Sequence, residues 1–82
     1  MTILDLKRAK DVHPFRPFVI HMDDGREIEV RHPDAIAWGD ENGRFAVCIL
    51  PDSSVEVIDV SLATSLTIPA PAGGKAGSNG GE

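Results

Sequence analysis

The chain is poor in the residues that usually announce chemistry. It has a single cysteine, a single tryptophan, three phenylalanines and no tyrosine in 82 residues. One cysteine cannot form an intramolecular disulfide, so Cys48 gives the fold no covalent staple. No long apolar run is present either: the longest, "FAVCIL" (45–50), is six residues, far short of the roughly 20 needed to cross a bilayer. The opening "MTILDLKRAKD" is broken by charge every few residues and reads as no signal peptide. With one cysteine and no leader pattern, the expected compartment is the cytoplasm.

Basic charge is also scarce. Eight Lys and Arg stand against thirteen Asp and Glu, for a formal net charge of −5. The only basic cluster is Lys7, Arg8 and Lys10, with Arg16 nearby, and Asp40 to Asp59 holds five acids and one Arg. That balance disfavours nucleic acid, which rewards a clustered basic face, and anionic membranes for the same reason.

What is present reads as one small β domain. From Pro69 on, "PAPAGGKAGSNGGE" contains no large apolar residue. Such a segment cannot bury enough surface to offset its ordering entropy, so residues 1–69 are the expected domain and 70–82 a disordered Gly-rich tail. At its head, Thr2 followed three residues later by Asp5 suggests an N-cap with a capping box. Ile3, Leu6 and Ala9 then recur at helical spacing. The helix must end before Pro14. "PFRPF" (14–18) reads as a rigid corner, with Phe15 and Phe18 both turned into the core.

"FVIHMDDGREIEV" (18–30) reads as a β-hairpin whose register parity decides. A two-residue Asp24-Gly25 loop would set Ile20 against Glu29 and spoil both faces. A three-residue loop, Asp23-Asp24-Gly25, sets Ile20 against Ile28 and Phe18 against Val30. Gly25 is then the left-handed residue of a bulged turn. His32-Pro33 stops the second strand, because proline cannot donate to a ladder. "FAVCIL" is a third strand that is apolar on both faces, Phe45, Val47 and Ile49 on one and Ala46, Cys48 and Leu50 on the other. Such a strand asks for cover twice, by the interior on one side and by the N-terminal helix or a partner chain on the other. "VEVIDV" (55–60) and "SLATSLTIP" (61–69) supply a fourth and fifth. The expected architecture is a helix followed by a five-stranded antiparallel SH3-like small barrel.

This order, helix then five strands with an Asp-Gly turn between the first two, resembles the Sm-like small barrel, and "VIHMDDGREIEV" is similar to the first half of an Sm motif. The resemblance spans residues 2 to 69. It implies ring assembly through strand edges and RNA binding. The second Sm motif, an apolar residue followed by Arg-Gly or Lys-His, has no counterpart: the corresponding "IDVSL" lacks any basic residue. The set "PFRPF", "DGR", "VRHPD" and "SLATSL" is similar to a group of short, uncharacterised bacterial proteins, which implies the fold and no chemistry.

Candidate chemistry is thin. His13, His21 and His32 match no compact metal spacing, and His21 and His32 should point apart. Asp23 and Asp24 are turn carboxylates with local backbone partners. Cys48 lies mid-strand between apolar neighbours and reads as packing. Trp38, beside the polar turn "GDENGR", reads as a core residue or, if exposed, as an anchor for a protein partner. The expectation is a non-enzymatic interaction and assembly module without cofactor or metal, self-associating through strand edges. The alternative is an Sm-like RNA-binding protein using Lys7, Arg8, Lys10 and Arg16.

Overall fold

In the computed structural model, which describes residues 1–70, the helix forms where its cap says it should. α1 runs Ile3–Lys10. The Asp5 N–H donates to Thr2 Oγ1 (3.3 Å) and the Thr2 N–H donates to the Asp5 carboxylate (2.9 Å), so the capping box is complete. Lys7, Arg8 and Lys10 occupy the last turn, where cations complement the helix dipole. A helix of eight residues is marginal in isolation. It is held by its stripe, Ile3, Leu6 and Ala9, all buried. Among the described residues no helix is long and apolar enough to cross a membrane.

The corner that follows includes a cis His13–Pro14 peptide. Phe18 is fully buried, but Phe15 is only half-buried and packs against the core edge, its ring 6.0 Å from that of Phe18. The expectation that both rings enter the core is therefore corrected for Phe15. Arg16 donates to the Pro69 carbonyl (2.5 Å), tying the entry of the first strand to the exit of the last.

Six strands follow: β1 (Phe18–Met22), β2 (Glu27–Val30), β3 (Ile36–Ala37), β4 (Phe45–Ile49), β5 (Val55–Asp59) and β6 (Ala63–Thr67). The β1–β2 register is the one parity demands, Phe18 opposite Val30 and Ile20 opposite Ile28. The Met22 N–H donates to the Arg26 carbonyl and the Gly25 N–H to the Met22 carbonyl, closing the loop. Gly25 sits at φ +92°.

These strands build two three-stranded antiparallel sheets, ordered β2-β1-β6 and β3-β4-β5. A five-stranded small barrel was expected; the structure instead has six strands in two sheets that do not close into a barrel. Pro33 opens a short 3₁₀ turn, Pro33–Ala35, that breaks the chain after β2. Ile36 and Ala37 then pair with Cys48 and Val47 as a separate strand. A second 3₁₀ turn, Val60–Leu62, capped by the Asp59 carboxylate, carries the chain from one sheet to the other. β6 pairs with β1 across a bulge in which Thr64 is the extra residue, its hydroxyl donating to the His21 carbonyl (3.1 Å).

The interior holds the α1 stripe, Phe18, Ile20 and Met22 from β1, Ile28 and Val30 from β2, Ala46 and Cys48 from β4, and single residues from the rest, Ile36, Ile58, Val60 and Ala63. No polar or charged residue is buried among the described residues. The disordered tail expected over 70–82 lies, Ala70 apart, outside the described residues.

Two stability outcomes follow. Gly25→Ala meets no steric neighbour, so its cost is the positive φ alone, about 1–2 kcal/mol. Leu6→Ala empties a fully buried site and should cost about 2–5 kcal/mol. Urea unfolding of each variant reads both; a neutral Leu6→Ala would mean that the helix is not part of the core.

Candidate functional site

The chemical candidates are dispersed. His21 points away from the interior and bonds the Thr67 hydroxyl through Nε2 (2.9 Å), while His13 and His32 are exposed at opposite ends of the β1–β2 segment. Among the described residues no three His, Cys, Asp or Glu side chains gather as a metal-ligand set. Asp24 is occupied by the Arg26 N–H and guanidinium, which hold its carboxyl below the ordinary value. Cys48 is buried, and its thiol is pushed up to about 11 by desolvation, with the Glu56 charge adding to the effect. A thiol in that state is protonated at neutral pH and has no basic neighbour to activate it.

The four basic residues do not converge on a free cationic face. Lys7 pairs with Asp11 (3.1 Å), Lys10 bonds the Ile36 carbonyl (3.3 Å), and Arg16 is turned to Pro69. Arg8, the most exposed of the four, pairs loosely with Asp5 (4.0 Å). Trp38 is half-buried against the core edge with the Lys10 ammonium 5.1 Å from its ring centre, a cation–π contact that occupies part of the face a partner would use. A groove of about 380 Å³ runs between the start of α1 and the 41–44 turn, lined by Met1, Leu4, Glu41, Asn42, Arg44 and Ser61 among others. Ser61 in it donates to Asp59 (2.6 Å) and has no base beside it.

The feature that stands apart is the outside of the β4–β5 hairpin. Both strands alternate strictly. Ala46, Cys48 and Ile58 face the core. Phe45, Val47, Ile49, Val55 and Val57 face out, with 41 % to 62 % of each residue accessible. The register gathers them: Val47 lies opposite Val57, Ile49 opposite Val55, and Phe45 opposite Asp59. Nothing in the described chain lies over this face. The helix was one expected cover for it, and the structure corrects that expectation, because the α1 stripe is spent in the interior.

The edge of the hairpin is open as well. The Leu50 N–H donates to the Ser54 carbonyl and the Val60 N–H to the Arg44 carbonyl. Bonded and non-bonded pairs alternate along an antiparallel ladder. Cys48–Glu56 and Ala46–Ile58 are therefore the bonded pairs, and the N–H and C=O groups of Val55, Val57 and Asp59 point away from β4. β5 is the last strand of its sheet, so these groups meet no further strand among the described residues. One polar pair rims the face. Arg44 bonds the Asp59 carboxylate and lies 5.5 Å from the Phe45 ring centre. Asp59 also accepts from the Ser61 N–H (3.0 Å) and hydroxyl. Arg44 first, then Ser61, hold its carboxyl down to about 2.

The sequence marked half of this face, since "FAVCIL" is apolar on both sides. It did not mark Val55 and Val57. Their signal is the parity of "VEVIDV", in which Val55 and Val57 share one face and Ile58 and Val60 take the other.

Because the folded-state pKa of Asp59 is depressed, its contribution is present above the unfolded value near 4 and is lost as pH falls from about 4 toward 2. Asp59→Asn should flatten the stability-versus-pH curve in that window, read by thermal melts between pH 7 and pH 2, and an unchanged slope would remove Asp59 from the account.

No protein family, curated protein or solved structure matches this chain.

Proposed function

We propose that the chain is a non-enzymatic interaction and assembly module, a small SH3-like or Sm-like β domain that self-associates through its β4–β5 hairpin. The observation that carries the reading is the coincidence of an apolar outer face with an unpaired outer edge on one hairpin. Exposed apolar residues scattered singly need no explanation, but five in register on one sheet face form a patch on the order of 400 Å², in the range where a patch on a monomer serves binding. An apolar edge strand with free backbone groups is, in addition, a template for pairing. β5 has no Lys and no Pro, and its two charged residues, Glu56 and Asp59, are paired with Arg26 and Arg44 within the fold.

The alternation of two three-stranded sheets, with a 3₁₀ turn before the last strand, is consistent with the small-barrel resemblance. RNA binding, which that resemblance would also imply, has less support. Each of its four basic residues has an acid or a carbonyl partner within the fold, and the chain is acidic overall. A partner seated on Trp38 has less support for a similar reason, because that ring is half-buried under Lys10.

Light scattering after gel filtration tests the reading. The expected result is a mass above that of one chain, falling on dilution. A single-chain mass persisting at roughly 100 µM would overturn it, since self-association that weak lies below the range of useful affinity.

A further inference from the structure

Resting on that reading, we infer that the occupant of the β4–β5 face is the same face of a second copy, packed sheet on sheet about a two-fold axis that crosses the hairpin at the Val47–Val57 rung. Edge pairing alone would join two apolar faces side by side and leave both in water. Face-to-face packing removes both from it.

The area fits. Each copy offers on the order of 400 Å² of apolar side chain, so two offer about 800 Å². At the apolar share typical of homodimer interfaces, about 65 %, this corresponds to roughly 1,200 Å² in all, the lower bound of a specific, stable interface. The anatomy fits too. The centre of the face is free of charge, and the one polar pair, Arg44 with Asp59, stands at its end.

Self-complementarity selects the axis. Two directions in the plane of the face are possible. An axis along the strands sets β4 of one copy over β5 of the other and stacks the Phe45 ring on the Asp59 carboxylate of the opposite copy. It also gathers both Arg44–Asp59 pairs at one end. An axis along the rungs reverses the strands instead. Val57 then faces Val57, Val47 faces Val47 and Phe45 covers Ile49, apolar on apolar, while Asp59, held by its own Arg44, comes over the opposite copy's Val55 at the end of the face. Arg44, whose side chain is 64 % exposed, comes over the opposite copy's 51–54 turn, which carries Asp52. Charges of opposite sign meet at both ends, and no carboxylate lies under a ring. The rung axis is therefore the one the face supports. It makes a closed, isologous dimer, not the heterologous ring that pairing of unlike edges would build.

Complementary charge exchange tests both the contact and the axis. Val57→Lys and Val57→Glu should each weaken the dimer at least tenfold, because like charges then face one another across the axis. An equimolar mixture of the two should recover it. Phe45→Glu and Ile49→Lys should behave likewise, each weak alone and recovered as a mixture, since the rung axis brings position 45 of one copy over position 49 of the other. The substituted side chains are exposed in the single chain, so circular dichroism and the urea midpoint of each variant should stay near the parent's; a variant that loses its fold is replaced by Val57→Thr or Ile49→Ser, each expected to weaken the dimer by itself. Recovery in both mixtures is the expected result. Recovery at position 57 without recovery of the 45/49 mixture means edge pairing and overturns the face-to-face dimer. A parent mass of three or more copies with no recovery overturns it as well, and leaves self-association standing. A parent that stays a single chain at roughly 100 µM overturns both.

Discussion

The interior of this domain is filled before its apolar residues run out. One small core must accept the stripe of α1, the inner face of β1 and β2, and the inner faces of the second sheet. A chain of this size has room for little more. On β4 the interior takes Ala46 and Cys48, the two smallest apolar side chains of the strand, and turns Phe45, Val47 and Ile49 outward. The opposite assignment would push a phenyl ring, a valine and an isoleucine into an interior already filled by the other elements. Overpacking of that kind costs about as much as a cavity. The uncovered face is thus a consequence of how the core closes and not an isolated surface feature.

The same constraint explains the rest of the exterior. With no polar residue buried, all the charged chemistry of the described chain is pushed to turns and rims, where it is used for local closure. Asp24 closes the β1–β2 loop on Arg26, Asp52 closes the β4–β5 turn on Ser54, and Asp59 caps the 3₁₀ turn while holding Arg44. Each carboxylate is satisfied by neighbours in sequence or across one strand. Groups so occupied keep depressed pKa values and are poor bases. Arg26 extends the pattern to the second sheet by reaching Glu56 at 2.8 Å, so even the link between the hairpins is an exposed ion pair of small energetic weight.

What the sequence could and could not reveal divides along locality. The capping box at Thr2 and Asp5, the stripe Ile3-Leu6-Ala9 and the three-residue loop ending at Gly25 are each decided within a dozen residues, and each is found as read. β3 is not decided locally. Two residues become a strand only because Ile36 and Ala37 lie beside Cys48 and Val47, a pairing set by the tertiary fold. The division into two sheets has the same origin, since Pro33 interrupts the path and no local signal says whether the ladder resumes with the old partner or a new one. For the candidate site, "FAVCIL" showed a strand with apolar residues on both sides, but which side meets the core depends on what the helix fills.

This last point bears on how such a protein is understood. A strand apolar on both faces leaves two accounts open, a monomer whose own helix covers the second face or an assembly in which another chain does so. The position of α1 weighs between them. The helix is amphipathic with a single buried stripe, and that stripe is already part of the interior. To cover the outside of β4–β5 as well, α1 would have to surrender Ile3 and Leu6 to water and open the core it closes, exchanging one exposed apolar set for another. The surface left over must therefore remain in water or be met by something beyond the described residues, and the charge-free centre it presents, Val47 beside Val57, suits an apolar partner.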